Sequence, residues 1–313
     1  MAGLTVILHG GDGSTWHVHG DGAGAEGVWC AYNAMKGVWD PPVRTAWASG
    51  ARQRGGKPRG RWYDPRDLDL GFHLVASRVP GGDQESLMSA FRNAFDFRED
   101  DYDFDAVLPR IQVISQKSTR DIDVQLRQHI DFDPPTDPVR RQHADPVLPL
   151  RAGNPFYYET PEISTWSTGS SSGSGTVPVW NPTPIPMFHK WILTRGDWTL
   201  PDRSIEGPKH HRFIGSSKRT GRDDSGRDIL IAPIGTVQGG ATVDLDPDAL
   251  MIRDAHGTNM LGQMPVPGMY FEYEIPPWTQ PLELPVSVTN APAGGAMVQL
   301  VMPRLWPLPI GGQ

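Results

Sequence analysis

The chain has 313 residues, of which 35 are Gly, 31 are Pro and 11 are Trp, and its formal net charge is −7. Gly and Pro at this density break long helices, so a helical bundle is excluded, and the many Trp residues argue against a disordered chain. The acidic balance argues against a general nucleic-acid binder with a basic face. These exclusions leave a folded protein of short strands and many turns. The sequence has no apolar run long enough to cross a membrane.

The first residues predict a β-hairpin. Leu4–Leu8 and Trp16–His19 form its two strands, and the turn is Gly10-Gly11-Asp12-Gly13. His17 and His19 lie two apart on the return strand and share a face, so both could ligate a metal ion. No spacing points to a third ligand, and we interpret them as surface or subunit-contact residues.

Residues 44–61 form a basic segment without an acidic residue, and their Gly and Pro content predicts a loop. The six bases are Arg44, Arg52, Arg54, Lys57, Arg59 and Arg61. Such a loop could grip phosphates or simply be solvated. The chain is acidic overall, and Trp47 is the single aromatic residue among the bases before Trp62-Tyr63. We therefore interpret the segment as an arm that contacts an acidic neighbour, and its bases as the candidate subunit interface.

A half-buried strand and one helix follow the basic segment. Apolar and polar residues alternate over 67–74, which is typical of a strand with one buried face. Asp83 is placed as the N-cap of the helix after two glycines. Leu87, Phe91 and Phe95 recur every four residues and predict an apolar helix face that packs on a sheet.

The remainder of the first half predicts a second hairpin and a domain boundary. Asp101, Asp103 and Asp105 are spaced like the start of a calcium loop, but the later ligands are missing, and a solvated turn is preferred. Strands are predicted at 108–114 and 121–127, joined by a turn at 116–119. The proline cluster at 134–138 indicates a semi-rigid spacer, with domains at 1–145 and 146–313.

The second half predicts a β-sandwich, because short strand candidates alternate with turn signals. The candidates are Phe156–Glu159, Val177–Trp180, Phe188–Leu193, Ile229–Ile234, Ala241–Asp244, Leu250–Arg253, Met269–Ile275, Leu282–Val288 and Met297–Met302. Two polar stretches interrupt them. Residues 164–175 are Ser/Gly-rich and are predicted to be a mobile loop, and residues 203–228 are predicted to be a projecting hairpin or a disordered loop.

Catalytic chemistry is not indicated. The chain has no phosphate-cradling glycine loop, no G-x-S-x-G and no H-E-x-x-H. Cys30 has no partner nearby in the sequence and is interpreted as a structural residue rather than a nucleophile. Asp244, Asp246 and Asp248 could form the acid pair of a glycosidase, but Pro247 favours a turn. We predict a protein without enzymatic activity, catalytic residues, cofactor or metal.

In the order and character of its sequence segments, the whole chain resembles the distal tail proteins of long-tailed phages, most closely the minor tail proteins of phages that infect actinobacteria. The N-terminal half carries the resemblance in GRWYDPRDLDLGFHLV, in the single helix and in TRDIDVQLRQHIDFDPPTDP. The C-terminal half carries it in PLRAGNPFYYE, VPVWNPTPIPMFHKWILT, WTLPD, VDLDPDALMI and PVSVTNAPAGGAMVQLVMPRLWPLPIG.

The resemblance implies a mainly β fold in two parts. The N-terminal domain would form a hexameric ring that continues the tail tube, and a galectin-like β-sandwich would lie outside the ring. The implied partners are five further copies and the tail tube, tape measure and tail hub or baseplate proteins. The protein would be made in the host cytoplasm and located at the virion tail tip. The alternative is a carbohydrate-binding module for a host cell-surface glycan, since Trp residues can stack on sugars.

Overall fold

The structure is a computed structural model that describes residues 3–52, 54–95, 107–205 and 223–312. Its contacts divide the chain into two compact units. Unit 1 contains Met1–Glu159 and Trp306–Gly312, and unit 2 contains Thr160–Leu305. The chain thus passes from unit 1 to unit 2 and returns at its C-terminal end. The functional division after residue 145 stays a prediction.

Unit 1 consists of antiparallel strands and short helices. The strands are β1 (Thr5–His9), β2 (Thr15–His19), β3 (Val28–Lys36), β4 (Val43–Ala48), β5 (Lys57–Tyr63), β6 (Arg66–Leu74), β7 (Arg110–Ile114), β8 (Thr119–Asp123), β9 (Gln125–Leu126), β10 (Val147–Ala152) and the first residues of β11 (Tyr157–Thr168). The helices are α1 (Gln84–Asn93), α2 (Pro138–Arg141) and a 3-10 turn at Ala76–Arg78.

The described strands of unit 1 lie in three sheets. Within this unit the strand orders are β11-β8-β7-β1-β2, β3-β6-β10-β9 and β4-β5. The predicted hairpins are confirmed, because β1 pairs with β2 and β7 pairs with β8 in antiparallel register. The alternation predicted over 67–74 is confirmed in β6, whose apolar residues Leu68, Leu70 and Phe72 are buried.

Helix α1 packs its apolar face onto the sheets, as the four-residue spacing predicts. Asp83 is the N-cap, and its Oδ2 accepts a hydrogen bond from the backbone N–H of Ser86 at 2.8 Å. Phe91 lies edge-on against Trp16 at 5.3 Å and against Phe72 at 5.2 Å between ring centroids. Burial of a side chain of this size stabilises the fold by about 2–3 kcal/mol.

The C-terminal segment of unit 1, Trp306–Gly312, is held by two buried arginines, of which Arg120 is the first. The Arg120 side chain is fully buried, and its guanidinium lies 4.0 Å from the centre of the Trp306 ring. It donates to Glu159 and to the carbonyl of Leu308, both at 2.9 Å. Desolvation lowers the pKa of Arg120, and Glu159 opposes that effect.

Arg66 is the second buried arginine. Its guanidinium donates to the carbonyls of Val38 at 2.9 Å and Pro307 at 2.7 Å. It also lies 5.0 Å from the ring centre of Tyr157, whose hydroxyl donates to the same Val38 carbonyl at 3.0 Å. The carbonyls of residues 307 and 308 therefore each accept a hydrogen bond from a guanidinium that is removed from water.

Unit 2 continues from β11 and is built of short antiparallel strands. These are β12 (Gly173–Asn181), β13 (Lys190–Leu193), β14 (Asp197–Pro201), β15 (Asp228–Leu230), β16 (Ala241–Asp244), β17 (Ile252–Asp254), β18 (Thr279–Thr289) and β19 (Ala296–Trp306), with a 3-10 turn at Leu261–Gln263.

The strands of unit 2 form two sheets around one apolar core. The strand orders are β17-β16-β13-β19-β11 and β12-β18-β14-β15. Trp191 of the first sheet and Trp198 of the second are both fully buried in the shared core. The prediction of a mainly β chain whose second half is a sandwich is confirmed. The described residues contain no helix that is long and apolar enough to cross a membrane.

Several element predictions need correction. Residues 164–168 are the end of β11 and residues 173–175 the start of β12, so the loop is only the turn at 169–172; Trp166 packs against the core and orders the end of β11. Met269–Ile275 is not a strand; Ile275 forms a single bridge with Met187. Strands β3, β10 and β14 and the short helix α2 were not predicted. The acidic segment 96–105 and most of 203–228 lie outside the described residues.

His189 gives the stability of unit 2 a predictable pH dependence. The side chain is buried, and within the described part of the chain neither ring nitrogen has a hydrogen-bond partner. Burial lowers its pKa from 6.5 to about 4, and nearby Asp244 opposes the shift. The unfolded state therefore binds a proton more readily than the folded state between these values. Unit 2 keeps this contribution above pH 6.5 and loses about 3 kcal/mol as the pH falls toward 4.

A His189→Phe variant is expected to lose this dependence, because the ring no longer titrates while its edge-on contact with Trp191, 5.7 Å between centroids, is kept. Urea unfolding followed through Trp fluorescence at several pH values between 4 and 8 measures the effect. Equal pH slopes for both proteins over this range would show that His189 is not the responsible group.

Candidate functional site

The segment predicted as a loop is a β-hairpin, with four of the six predicted interface bases on its strands and two in its connecting turn. Strands β4 and β5 pair from Val43 opposite Tyr63 to Ala48 opposite Lys57. In the part of the chain that the structure describes, this pair forms a sheet of its own. We call residues 43–63 the basic hairpin. The Gly and Pro content predicted a loop. The structure has a strand here instead, because Val43, Thr45 and Trp47 alternate along the chain and favour extended backbone.

A bulge shapes the basic hairpin. The register shifts between Ala46, opposite Gly60, and Trp47, opposite Pro58, so that Arg59 is the extra residue on β5. A bulge of this kind bends and twists a strand pair and protects its edge from further pairing. Pro58 has no N–H to donate, which suits an edge strand.

Cations and aromatic rings alternate on the basic hairpin. The Arg44 guanidinium lies 4.8 Å from the ring centre of Trp62 and forms an ion pair with Asp64 at 3.0 Å. Arg61 lies 5.5 Å from the ring centre of Tyr63. Tyr63 in turn packs edge-on against Phe156 at 4.9 Å and anchors the base of the hairpin to the rest of unit 1.

The rest of the basic hairpin is open to solvent. All six predicted bases are exposed, as are Trp47 at 63% and Trp62 at 39%. Arg44 is the one base among them with an ion pair in the described residues. Arg52 and Arg54 lie in the connecting turn, Lys57, Arg59 and Arg61 on β5, and Arg44 on β4. Trp, Tyr and Arg are the residue types that dominate binding energy at protein interfaces.

The other chemical candidates have structural explanations. Cys30 is a free thiol on β3, and burial raises its pKa to about 12, so a reactive thiolate does not form at neutral pH. His17 pairs with Glu26 at 2.8 Å through Nδ1. Asp244 forms an ion pair with Lys190 at 2.7 Å.

The aspartates at 244, 246 and 248 form turns rather than a catalytic pair. The Asp244 carboxylate accepts from the backbone N–H of Asp246 at 3.1 Å, and Asp246 accepts from the N–H of Asp248 at 3.0 Å. These are the local bonds typical of Asp in turns, as Pro247 suggested.

The sequence did not predict one cluster of polar side chains. His73, His143 and Asp145 converge in unit 1, with ligand atoms within 4.8 Å of one another, although His73 lies about 70 residues before the other two. The only local signal is the H-x-D spacing of the last two residues, which is too common to be informative. The pairing that brings His73 to them is a tertiary feature.

Both units consist mainly of β-strands, and comparison with solved structures shows which known fold they share. The chain is similar to the Dit protein of phage SPP1, whose crystal structure is described as a paradigm of the hub adsorption apparatus in phages infecting Gram-positive hosts. The TM-score is 0.52 at 8% identity, and the match covers 96% of this chain and 99% of that one. The chain thus has the Dit fold over nearly its whole length.

A weaker likeness is found to the phage P2 baseplate in its activated conformation with Ca, at a TM-score of 0.47 and 8% identity over 96% of this chain and 98% of that chain. Protein-family models and curated protein sequences give no match to this chain.

Proposed function

We propose that this chain is a distal tail protein, a structural and non-enzymatic component of the tip of a phage tail. The observation that carries the proposal is the likeness to SPP1 Dit, which spans both units and nearly the full length of both chains. The proposed location is the virion tail tip, and the proposed host is an actinobacterium.

Six copies would form a ring that joins the tail tube to the hub or baseplate, with the tape measure protein as a further contact. A ring closes through heterologous contacts, in which one surface meets a different surface on the next copy. The basic hairpin supports such an arrangement, because a two-stranded hairpin alone is marginally stable in water and gains most from a partner. The repeated negative charge of six acidic chains would also discourage DNA from adhering to a channel.

The oligomeric state tests this proposal directly. Purified full-length chain is expected to elute with the mass of a hexamer in light-scattering chromatography and to appear as a ring in electron micrographs. Antibodies against it are expected to label the tail tip of the phage. A stable monomer at high concentration, combined with labelling of the capsid, would contradict the proposal.

The carbohydrate-binding alternative needs exposed aromatic residues on one sheet face of the second half. In the described part of unit 2, the exposed aromatic side chains are Tyr270 and Trp278, and both lie outside the strands. No observation therefore favours a glycan site over the structural role. Glycan-array binding that is abolished by Trp278→Ala would reverse this preference.

A further inference from the structure

Two imidazoles and one carboxylate meet on unit 1, outside the basic hairpin. The Nδ1 atom of His73 lies 2.5 Å from Oδ1 of Asp145, and the Nε2 atom of His143 lies 2.7 Å from the same oxygen. The two imidazole rings are 5.6 Å apart and inclined at 41°. We call these three residues the histidine cluster.

The backbone holds the histidine cluster in place from two directions. Leu74 and Ala144 form an antiparallel bridge with N–H···O bonds of 2.8 and 3.0 Å. His73 is therefore directly opposite Asp145, and cross-strand partners project to the same face. His143 lies two residues before Asp145 and shares that face because side chains alternate along extended backbone.

The short helix α2 sets the position of His143. Asp137 caps its start by accepting from the N–H groups of Val139 and Arg140 at 2.9 and 3.2 Å. Gln142 ends it in the left-handed conformation, with φ of 55°, and turns the chain back toward β6. The backbone N–H of His143 then donates to the carbonyl of Pro138 at 3.2 Å.

The His73 ring is also packed. Its centroid lies 5.6 Å from that of Trp29, and the Arg78 guanidinium covers the same indole at 4.4 Å. The three side chains keep 33%, 41% and 58% of their surface exposed for His73, His143 and Asp145. The cluster is thus fixed at one end and open to ions from solvent at the other.

We propose that the histidine cluster binds a divalent transition-metal ion. Both histidine bonds end on one carboxylate oxygen, so an ion between the three groups would replace two N–H···O contacts by two nitrogen ligands and one oxygen ligand. Two imidazoles and one carboxylate suit zinc and its neighbours, whereas calcium and magnesium prefer oxygen ligands alone. Three protein ligands leave one position for water or another group, as in open zinc sites.

The ion would link β6 to the segment that follows α2. An ion bound only by the folded chain stabilises that chain, so the site would strengthen this side of unit 1. This inference is independent of the proposed tail-tip role, since it depends only on contacts within one chain.

Zinc titration of the full-length chain by calorimetry tests the site. The wild-type protein is expected to bind one zinc ion saturably and to unfold at a higher temperature when zinc is present. His73→Ala, His143→Ala and Asp145→Asn are each expected to weaken binding by roughly tenfold or more. His129→Ala, which removes an exposed histidine outside the cluster, is the matched control and is expected to bind zinc like the wild type.

Cobalt provides a second readout that unfolding of a variant does not imitate. The visible absorption of Co²⁺ strengthens in a four-coordinate site, and this signal is expected in wild type and His129→Ala but not in His143→Ala. Circular dichroism checks that each variant keeps its strand content. Failure of wild type to bind zinc stoichiometrically, or equal binding by the cluster variants, would overturn the proposal.

Discussion

A chain that ends at Leu305 is expected to lose the folded state of unit 1. The truncation removes Trp306, which is 2% exposed and belongs to the core of unit 1. Loss of a buried aromatic side chain of this size costs about 3–5 kcal/mol. Small domains are stable by only about 5–15 kcal/mol, so this loss alone removes a large part of the total.

The same truncation also removes one hydrogen-bond acceptor from each of the two buried arginines. Arg66 loses the carbonyl of Pro307, and Arg120 loses the carbonyl of Leu308 together with the Trp306 ring. A lost hydrogen bond to a charged group costs about 1.5–3 kcal/mol. Together with the loss of Trp306 this gives about 6–11 kcal/mol, which is comparable to the whole stability expected of a unit of this size.

Limited proteolysis and circular dichroism measure this outcome, and a chain that ends at Ile310 is the matched control. The control keeps Trp306, both carbonyls and Ile310, which packs against the core of unit 1. It is expected to resist protease like the full chain, while cleavage of the shorter chain spreads through residues 3–159. Full resistance of the chain that ends at Leu305 would show that the C-terminal segment is not needed for unit 1.

Reversal of Arg52, Arg54 and Arg59 to Glu is expected to abolish ring assembly and leave each copy folded. All three side chains are exposed on the basic hairpin, and no ion pair is recorded for them among the described residues. The reversal therefore removes no contact that holds unit 1 together. At an interface with an acidic neighbour it converts attraction into like-charge repulsion, which costs several kcal/mol.

The matched control reverses Lys36, Arg140 and Arg141, three exposed bases of unit 1 outside the basic hairpin. Both triple variants change the net charge equally, so a general charge effect would appear in both. Chromatography with light scattering reports the mass, and thermal unfolding checks the fold. Hexamers from the Arg52, Arg54 and Arg59 variant would refute the interface role of the hairpin.

Local sequence patterns predicted much of the fold. The alternation over 67–74 predicted β6 because a half-buried strand exposes every second side chain. Asp83 marked the start of α1 because its carboxylate can satisfy a free backbone N–H. The hairpin at β1 and β2 followed from its glycine turn. Each of these signals acts within about ten residues and needs no knowledge of the rest of the chain.

The basic hairpin shows where local signals conflicted. Its Gly and Pro content indicated a loop, but strand pairing prevailed over composition because Val43, Thr45 and Trp47 favour extended backbone and β5 satisfies their hydrogen bonds. The Gly residues are concentrated in the turn, where they cost the strands little.

The sequence by itself determined a mainly β chain, many of its turns, its single longer helix and the presence of a basic segment. Only the tertiary structure decided that Trp306–Gly312 completes unit 1 and that His73 meets His143 and Asp145. The reason is physical: periodicity and capping depend on neighbours along the chain, whereas these contacts join residues separated by 70 to more than 180 positions. The pairing of distant strands brings them together, and no short pattern encodes that pairing.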